Sequence, residues 1–224
     1  MPLILNIDTA VQSASVCLAD GKTILKTETN SSGREAASWL HTAIKNVMHE
    51  NGHSLQQLDA VAISAGPGSY TGLRVGMSTA KGLCYALSVP LITINTLQMM
   101  AASVAKPSTQ LLCPMIDARR MEVFTALFNT TLEEIMPSVP LVLDEAFFGK
   151  WLDTSTITFF GNGSIKADSL INHPNALFRN IISTAANMVN LSFYKHEQNQ
   201  FSDLAYTEPL YGKDFHLPIY KKNY

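Results

Sequence analysis

Apolar residues open the chain as a continuous run from Leu3 to Ile7, and two further stretches, Ser13 to Ala19 and Lys22 to Thr29, flank an Asp20-Gly21 pair. The pattern predicts a short buried strand followed by a hairpin, so three strands come first. Helical spacing then takes over at Ala37, Leu40, Ile44 and Val47, which predicts a helix from Arg34 to Met48 ending near Asn51-Gly52. A strand over Asp59 to Ala65, a helix over Thr71 to Leu87, a short strand over Pro90 to Ile94 and a helix over Thr96 to Val104 complete the first half.

After Lys106-Pro107-Ser108-Thr109, which has the composition of a linker, the pattern partly restarts. Leu111 to Ile116 and Glu122 to Phe128 predict strands around a tight turn at Asp117 to Arg120. A strand at Thr156 to Phe160, a Gly161-Asn162-Gly163 turn and a helix from Asn180 to Tyr194 follow. Two consecutive α/β units are expected, one over residues 1–105 and a smaller one over 106–224 whose final segment returns to the first.

Five of the twelve glycines fall between Ser64 and Gly82, in SAGPGSYTGLRVGMSTAKG. This is not a phosphate-binding P-loop, because five residues separate Gly66 from Gly72 and Leu73 follows instead of Lys-Ser or Lys-Thr. The dinucleotide fingerprint fails as well, since after Gly66 and Gly68 the next glycine comes one position late, at Gly72. On a helical wheel, Leu73, Met77, Ala80, Cys84 and Leu87 form an apolar arc suited to a sheet. Gly72, Gly76, Thr79, Leu83 and Ala86 form a second arc of mainly small residues, and Arg74, Ser78, Lys81 and Tyr85 a polar third. Small residues admit a close neighbour at roughly 1 kcal/mol of helix propensity per glycine. That neighbour is either the chain's own first helix or a helix of another chain, and the two fit together if both helices share an exposed seam.

Composition narrows the function classes. The 224 residues are 46% hydrophobic, enough for a large core, and 16 Lys plus Arg against 18 Asp plus Glu leave a formal charge of −2. A broad basic face for nucleic acid is not expected. Cys17, Cys84 and Cys113 stand far apart without a CxxC pair, which fits a reducing cytoplasm and neither a disulfide framework nor a thiolate zinc site. No apolar run reaches the ~18 residues of a membrane-spanning helix.

Three stretches, LILNIDTA with SASVCL, SAGPGSYTGLRVGMSTAKGL with VPLITINTL, and PMIDARRMEVFTALF, resemble the bacterial TsaB (YeaZ) family, and FFGNGS and DLAYTEPLYGKDF extend the likeness over nearly the whole chain. The resemblance implies the actin-like ATPase fold, also seen in Hsp70 and sugar kinases, with two βββαβα-type domains hinged across a nucleotide cleft. It implies a non-catalytic, dimerising subunit that activates the catalytic paralog TsaD in forming threonylcarbamoyladenosine in tRNA. It further implies a TsaE-type ATPase as another partner, a homodimer when alone, contact with tRNA through the complex and none with a membrane. The catalytic paralog holds a metal by Asn-His-x-x-x-His after a similar glycine block, whereas Asn95 is followed here by Thr96 and Met100 at the two histidine places. Neither suits a catalytic divalent ion.

Leu40, Ile44, Gly72, Gly76, Thr79 and Leu83 are the expected dimer or partner interface, and a bulky residue at Gly76 is expected to block pairing without harming the fold. The resemblance also places nucleotide contacts at Asp8, Thr9, Asp117, Gly161 and Gly163. It implies no cofactor held by this chain alone and ATP or ADP at or near the partner interface. Asp8-Thr9 and the glycines serve equally as a turn cap and a strand end. His49 and His53 stand at i and i+4, but Gly52 between them marks a helix end. The first-helix stretch GREAASWLHTAI lacks an Arg-x-x-His-Ser run seen in relatives. The rival readings are a stand-alone ATPase or small-molecule kinase using Asp8, and a peptidase, for which no nucleophile motif is present.

Overall fold

The computed structural model describes residues 1–11, 13–30, 36–104 and 109–212. Its first sheet is built from β1 (Leu3–Asp8), β2 (Ala14–Asp20), β3 (Thr23–Asn30), β4 (Ala60–Ser64) and β5 (Leu91–Ile94), in the order β3-β2-β1-β4-β5. β1 pairs antiparallel with β2 and parallel with β4, which makes it the most enclosed strand and explains its continuous apolar run. α1 (Ala36–His49) and α2 (Tyr70–Leu87) cover one face. The expected start of α1 at Arg34 lies outside the described residues.

The second sheet repeats the plan. β6 (Leu111–Asp117), β7 (Glu122–Asn129), β8 (Glu134–Val142), β9 (Ile157–Phe160) and β10 (Ala176–Arg179) run in the order β10-β9-β6-β7-β8, with the first three antiparallel and β9 and β10 parallel to β6. Read from β8, this is the order of the first sheet. The segment that joins the two halves near Lys106 lies outside the described residues, so the expected boundary has no structural counterpart here.

Side-chain alternation along β1 divides the core. Leu5 and Ile7 face α1 and α2 with Val16, Leu40, Val61, Ile63 and Met77. Ile4 points the other way, into a buried cluster shared by both sheets that includes Ile92, Leu97, Ile116, Phe124 and Phe160. α3 (Thr96–Ala101) lies in this shared cluster, capped by Asn95, whose Oδ1 accepts from Leu97 and Gln98 N–H at 2.8 and 3.2 Å. The remaining face of the second sheet packs Phe148 and Phe159 under α4 (Gly149–Leu152) and α5 (Ser164–Asp168).

The chain then returns to the first sheet. α6 (Val189–Glu197) is fixed there by the Ser192 hydroxyl, which donates to Asn6 Oδ1 at 2.7 Å, and by Lys195 Nζ, which donates to the Thr93 carbonyl at 2.9 Å. Beyond it a strap crosses the end of β5, where Ser202 N–H donates to Leu91 and Leu210 N–H to the Ala65 carbonyl.

Two expectations are corrected. The helix expected from Asn180 to Tyr194 begins only as a 3-10 turn at Ala185–Met188 and becomes α-helical at Val189. The Ile181-Ile182-Ser183-Thr184 run before it is rich in β-branched residues, which favour extended backbone. The helix begun at Thr96 stops at Ala101. β8 and β10 were not legible as strands. β8 is a half-exposed edge carrying Pro137 and Pro140, which only an edge tolerates, and β10 is four residues long.

Candidate functional site

The glycine block turns out to close the molecule on itself. Ser69 caps α2 by accepting from Gly72 N–H at 3.3 Å, and Thr9 at the end of β1 donates its hydroxyl to the Gly72 carbonyl at 2.7 Å. A Cβ at Gly72 would strike the Thr9 carbonyl. One at Gly76 would strike the Thr9 hydroxyl and come within 2.9 Å of Ile63 Cδ1. These glycines therefore let α2 settle on β1 and β4, and the expectation that a bulky residue at Gly76 spares the fold is corrected. Of the other expected interface residues, Leu40 and Ile44 are buried in the same core, while Thr79 and Leu83 are half-buried. The exposed positions of α2 are Tyr70, Thr71, Arg74, Ser78, Gly82, Tyr85 and Ala86, with Tyr85 83% exposed and nothing within 4 Å of a Cβ at Gly82.

The residues expected at a nucleotide do not converge. Asp8 is completely buried. Its Oδ1 accepts from the Ser64 hydroxyl at 2.5 Å and from Ala10 N–H at 3.0 Å, while Oδ2 has no partner among the described residues. Burial outweighs both hydrogen bonds and pushes the carboxyl up from 3.8 to about 6. Asp117 sits at the end of β6 with Lys166 Nζ on its Oδ1 at 2.6 Å, and this contact holds the carboxyl below its ordinary value. The Arg119 N–H donates to the same oxygen, also at 2.6 Å. Gly163 donates its N–H to the Met115 carbonyl and packs on Val123 and Ile116.

Only Gly161 of the five lines the cavity of about 650 Å³ between the sheets, where its φ of +93° suits glycine alone. The apolar part of that lining is Val11, Met100, Ile165, Phe178, Ile181 and Ile182.

The two places that carry histidines in the metal-bearing paralog are filled otherwise. Thr96 is buried, and its hydroxyl oxygen accepts from Gly66 N–H at 3.1 Å. Met100 is buried with its methyl against Gly161. A committed hydroxyl and a thioether in an apolar wall do not fit a divalent metal. Among the described residues no three His, Cys, Asp or Glu side chains form a group able to hold one. α1 ends at His49, and Gly52 turns the backbone with a φ of +70°, so His49 and His53 share no helix face.

Sequence reasoning missed Ser64 and Lys166. The parallel register that sets Ile7 beside Ile63 brings Asp8 to Ser64, but Lys166 meets Asp117 only through tertiary packing.

Two five-stranded sheets of the same strand order, each an antiparallel meander extended by parallel strands, with cleft and helices between them, define the actin-like ATPase fold class. YeaZ from Pseudomonas aeruginosa superposes with a TM-score of 0.81 at 21% identity, over 94% of this chain and 100% of that one. A second Pseudomonas aeruginosa structure, described as similar to peptidase YeaZ, gives 0.84 at 22% identity over 95% and 100%. The family model described as TsaD, tRNA N6-adenosine threonylcarbamoyltransferase, matches residues 23–202. The chain belongs to this family, on its TsaB (YeaZ) side. The Bacillus subtilis tRNA threonylcarbamoyladenosine biosynthesis protein TsaB is 28% identical over 67% of this chain and 64% of its own length. The Escherichia coli TsaB is 34% identical over 56% and 54%. The chain thus spans between half and two thirds of the curated relatives it matches. No described helix is long and apolar enough to cross a membrane.

Proposed function

We propose that this chain is a non-catalytic subunit in the formation of threonylcarbamoyladenosine in tRNA, and that it acts by pairing with a metal-bearing member of its own family. The observation that carries the reading is the pair Thr96 and Met100, which stand within an otherwise family-like block and are both spent on packing. A family member without ligands for the metal has its scaffold left to offer a partner.

The outward face of α2 beside α1 is the proposed pairing surface. Ser78, Gly82 and Ala86 repeat every four residues along it and admit a close neighbour, and Tyr85 supplies a large exposed anchor. Thr79 and Leu83 border this face from the half-buried seam. Lys81 is turned aside, donating to the Ala205 and Thr207 carbonyls of the strap.

The rival reading, an independent ATPase with Asp8 as metal anchor, asks for an accessible carboxylate, and Asp8 is sealed beneath Ser64 and Ala10. Mixing the purified chain with the metal-bearing family member of the same organism, followed by light scattering on a sizing column, tests the proposal. A complex of summed mass that Gly82→Arg prevents is expected. Separate elution at micromolar concentrations contradicts it.

A further inference from the structure

The hairpin tip between β6 and β7 takes no part in pairing through α2, and its backbone is unfavourable in a way that its packing does not explain. Arg119 and Arg120 have φ of +66° and +49°, two consecutive residues in the left-handed region where glycine or asparagine is the usual occupant. Both are exposed. Among the described residues neither guanidinium has an ion-pair partner within 4 Å, so no internal salt bridge accounts for arginine at these two positions. Sparsely populated backbone at an exposed turn directs attention to what the side chains do outside the fold.

The turn is held from below. Asp117 Oδ1 accepts from the Arg119 N–H and from Lys166 Nζ, both at 2.6 Å, and the Asp117 N–H donates to Asn162 Oδ1 at 2.9 Å. Glu122 N–H donates to the Arg119 carbonyl, and Leu143 N–H to the Met121 carbonyl. Asp144, next to Leu143, accepts from the Ala146 and Phe147 N–H groups. Two guanidinium groups thus stand on adjacent residues of a turn whose backbone is fixed on both sides.

A guanidinium grips phosphate oxygens through paired N–H bonds and gives up its hydration more readily than an ammonium. A magnesium-bound nucleotide would need, besides, a carboxylate for its ion, and Asp117 is held by Lys166. Neither arginine lines the cavity between the sheets. The tip suits phosphates displayed along a large surface. With a formal charge of −2 on the whole chain, such a contact is local and takes in one or two phosphates.

We propose that the Arg119-Arg120 tip grips the phosphate backbone of the tRNA on which the complex acts. The inference rests on the reading of this chain as a subunit in tRNA modification. A contact of this kind positions the RNA without reading its sequence.

The test uses the complex of this chain with the metal-bearing family member and an unmodified tRNA transcript, with affinity measured by fluorescence anisotropy across a series of salt concentrations. Arg119→Asn combined with Arg120→Gly places residues that favour a positive φ in the turn and removes both charges. This double variant melts at or above the parent's temperature, yet it binds tRNA about tenfold more weakly and lowers the slope of log affinity against log salt by about 1–2. Replacing both arginines by lysine keeps most of the slope. Unchanged affinity and slope in a double variant that still forms the complex would overturn this inference alone, and so would a loss confined to magnesium-bound ATP. Failure of the parent chains to form a complex would sink the subunit reading and this inference with it.

Discussion

At Asp8 a carboxyl with two good hydrogen bonds still stands near 6 because burial penalises the charge more than Ser64 and Ala10 relieve it. Between about pH 4 and 6 the folded chain keeps a proton here that the unfolded chain has lost, so stability falls as pH rises through that window. The penalty at neutral pH is about 3 kcal/mol. Asp8→Asn keeps an oxygen for Ser64 and Ala10 and removes the charge. Its melting temperature should exceed the parent's at pH 7.5, and the two should converge below pH 4. A constant difference across that range would mean that Asp8 does not titrate as its burial dictates. Asp117 contrasts with it in burial and in partner: it is exposed, and Lys166 holds its carboxyl below the ordinary value. Two aspartates at matching strand ends have thus come to opposite states.

In α2, position decides what a glycine does. Gly76 faces Thr9 and Ile63, so Gly76→Ala forces a clash and should cost about 1–3 kcal/mol. Gly82 faces open space on the same helix, where alanine only relieves the propensity penalty, and Gly82→Ala should gain up to about 1 kcal/mol. Urea melts of the two variants check this, and midpoints displaced in the same direction would contradict it. The wheel of α2 was legible in the sequence as far as its apolar arc: Leu73, Met77, Ala80 and Cys84 are all buried. It did not reveal which neighbour filled the small-residue arc, because Thr9 and Ile63 approach Gly76 from sixty-seven and thirteen positions away, beyond any local pattern. Strands buried on both faces, such as β1, announced themselves. The proline-bearing edge β8 and the four-residue β10 lacked the periodicity that would have marked them.

Across the whole molecule, one apolar cluster joins both sheets, and α6 with the strap ties the end of the described chain to the first sheet. This scaffold leaves the outer face of α2 and the cavity beside Gly161 open. The supporting role proposed for the chain in tRNA modification rests on the outer face of α2. The most direct test is nucleoside mass spectrometry of tRNA from cells depleted of this chain. The account predicts that threonylcarbamoyladenosine disappears, returns with the parent gene, and does not return with Gly82→Arg although that variant accumulates normally. An unchanged level of the modified nucleoside after depletion would contradict it.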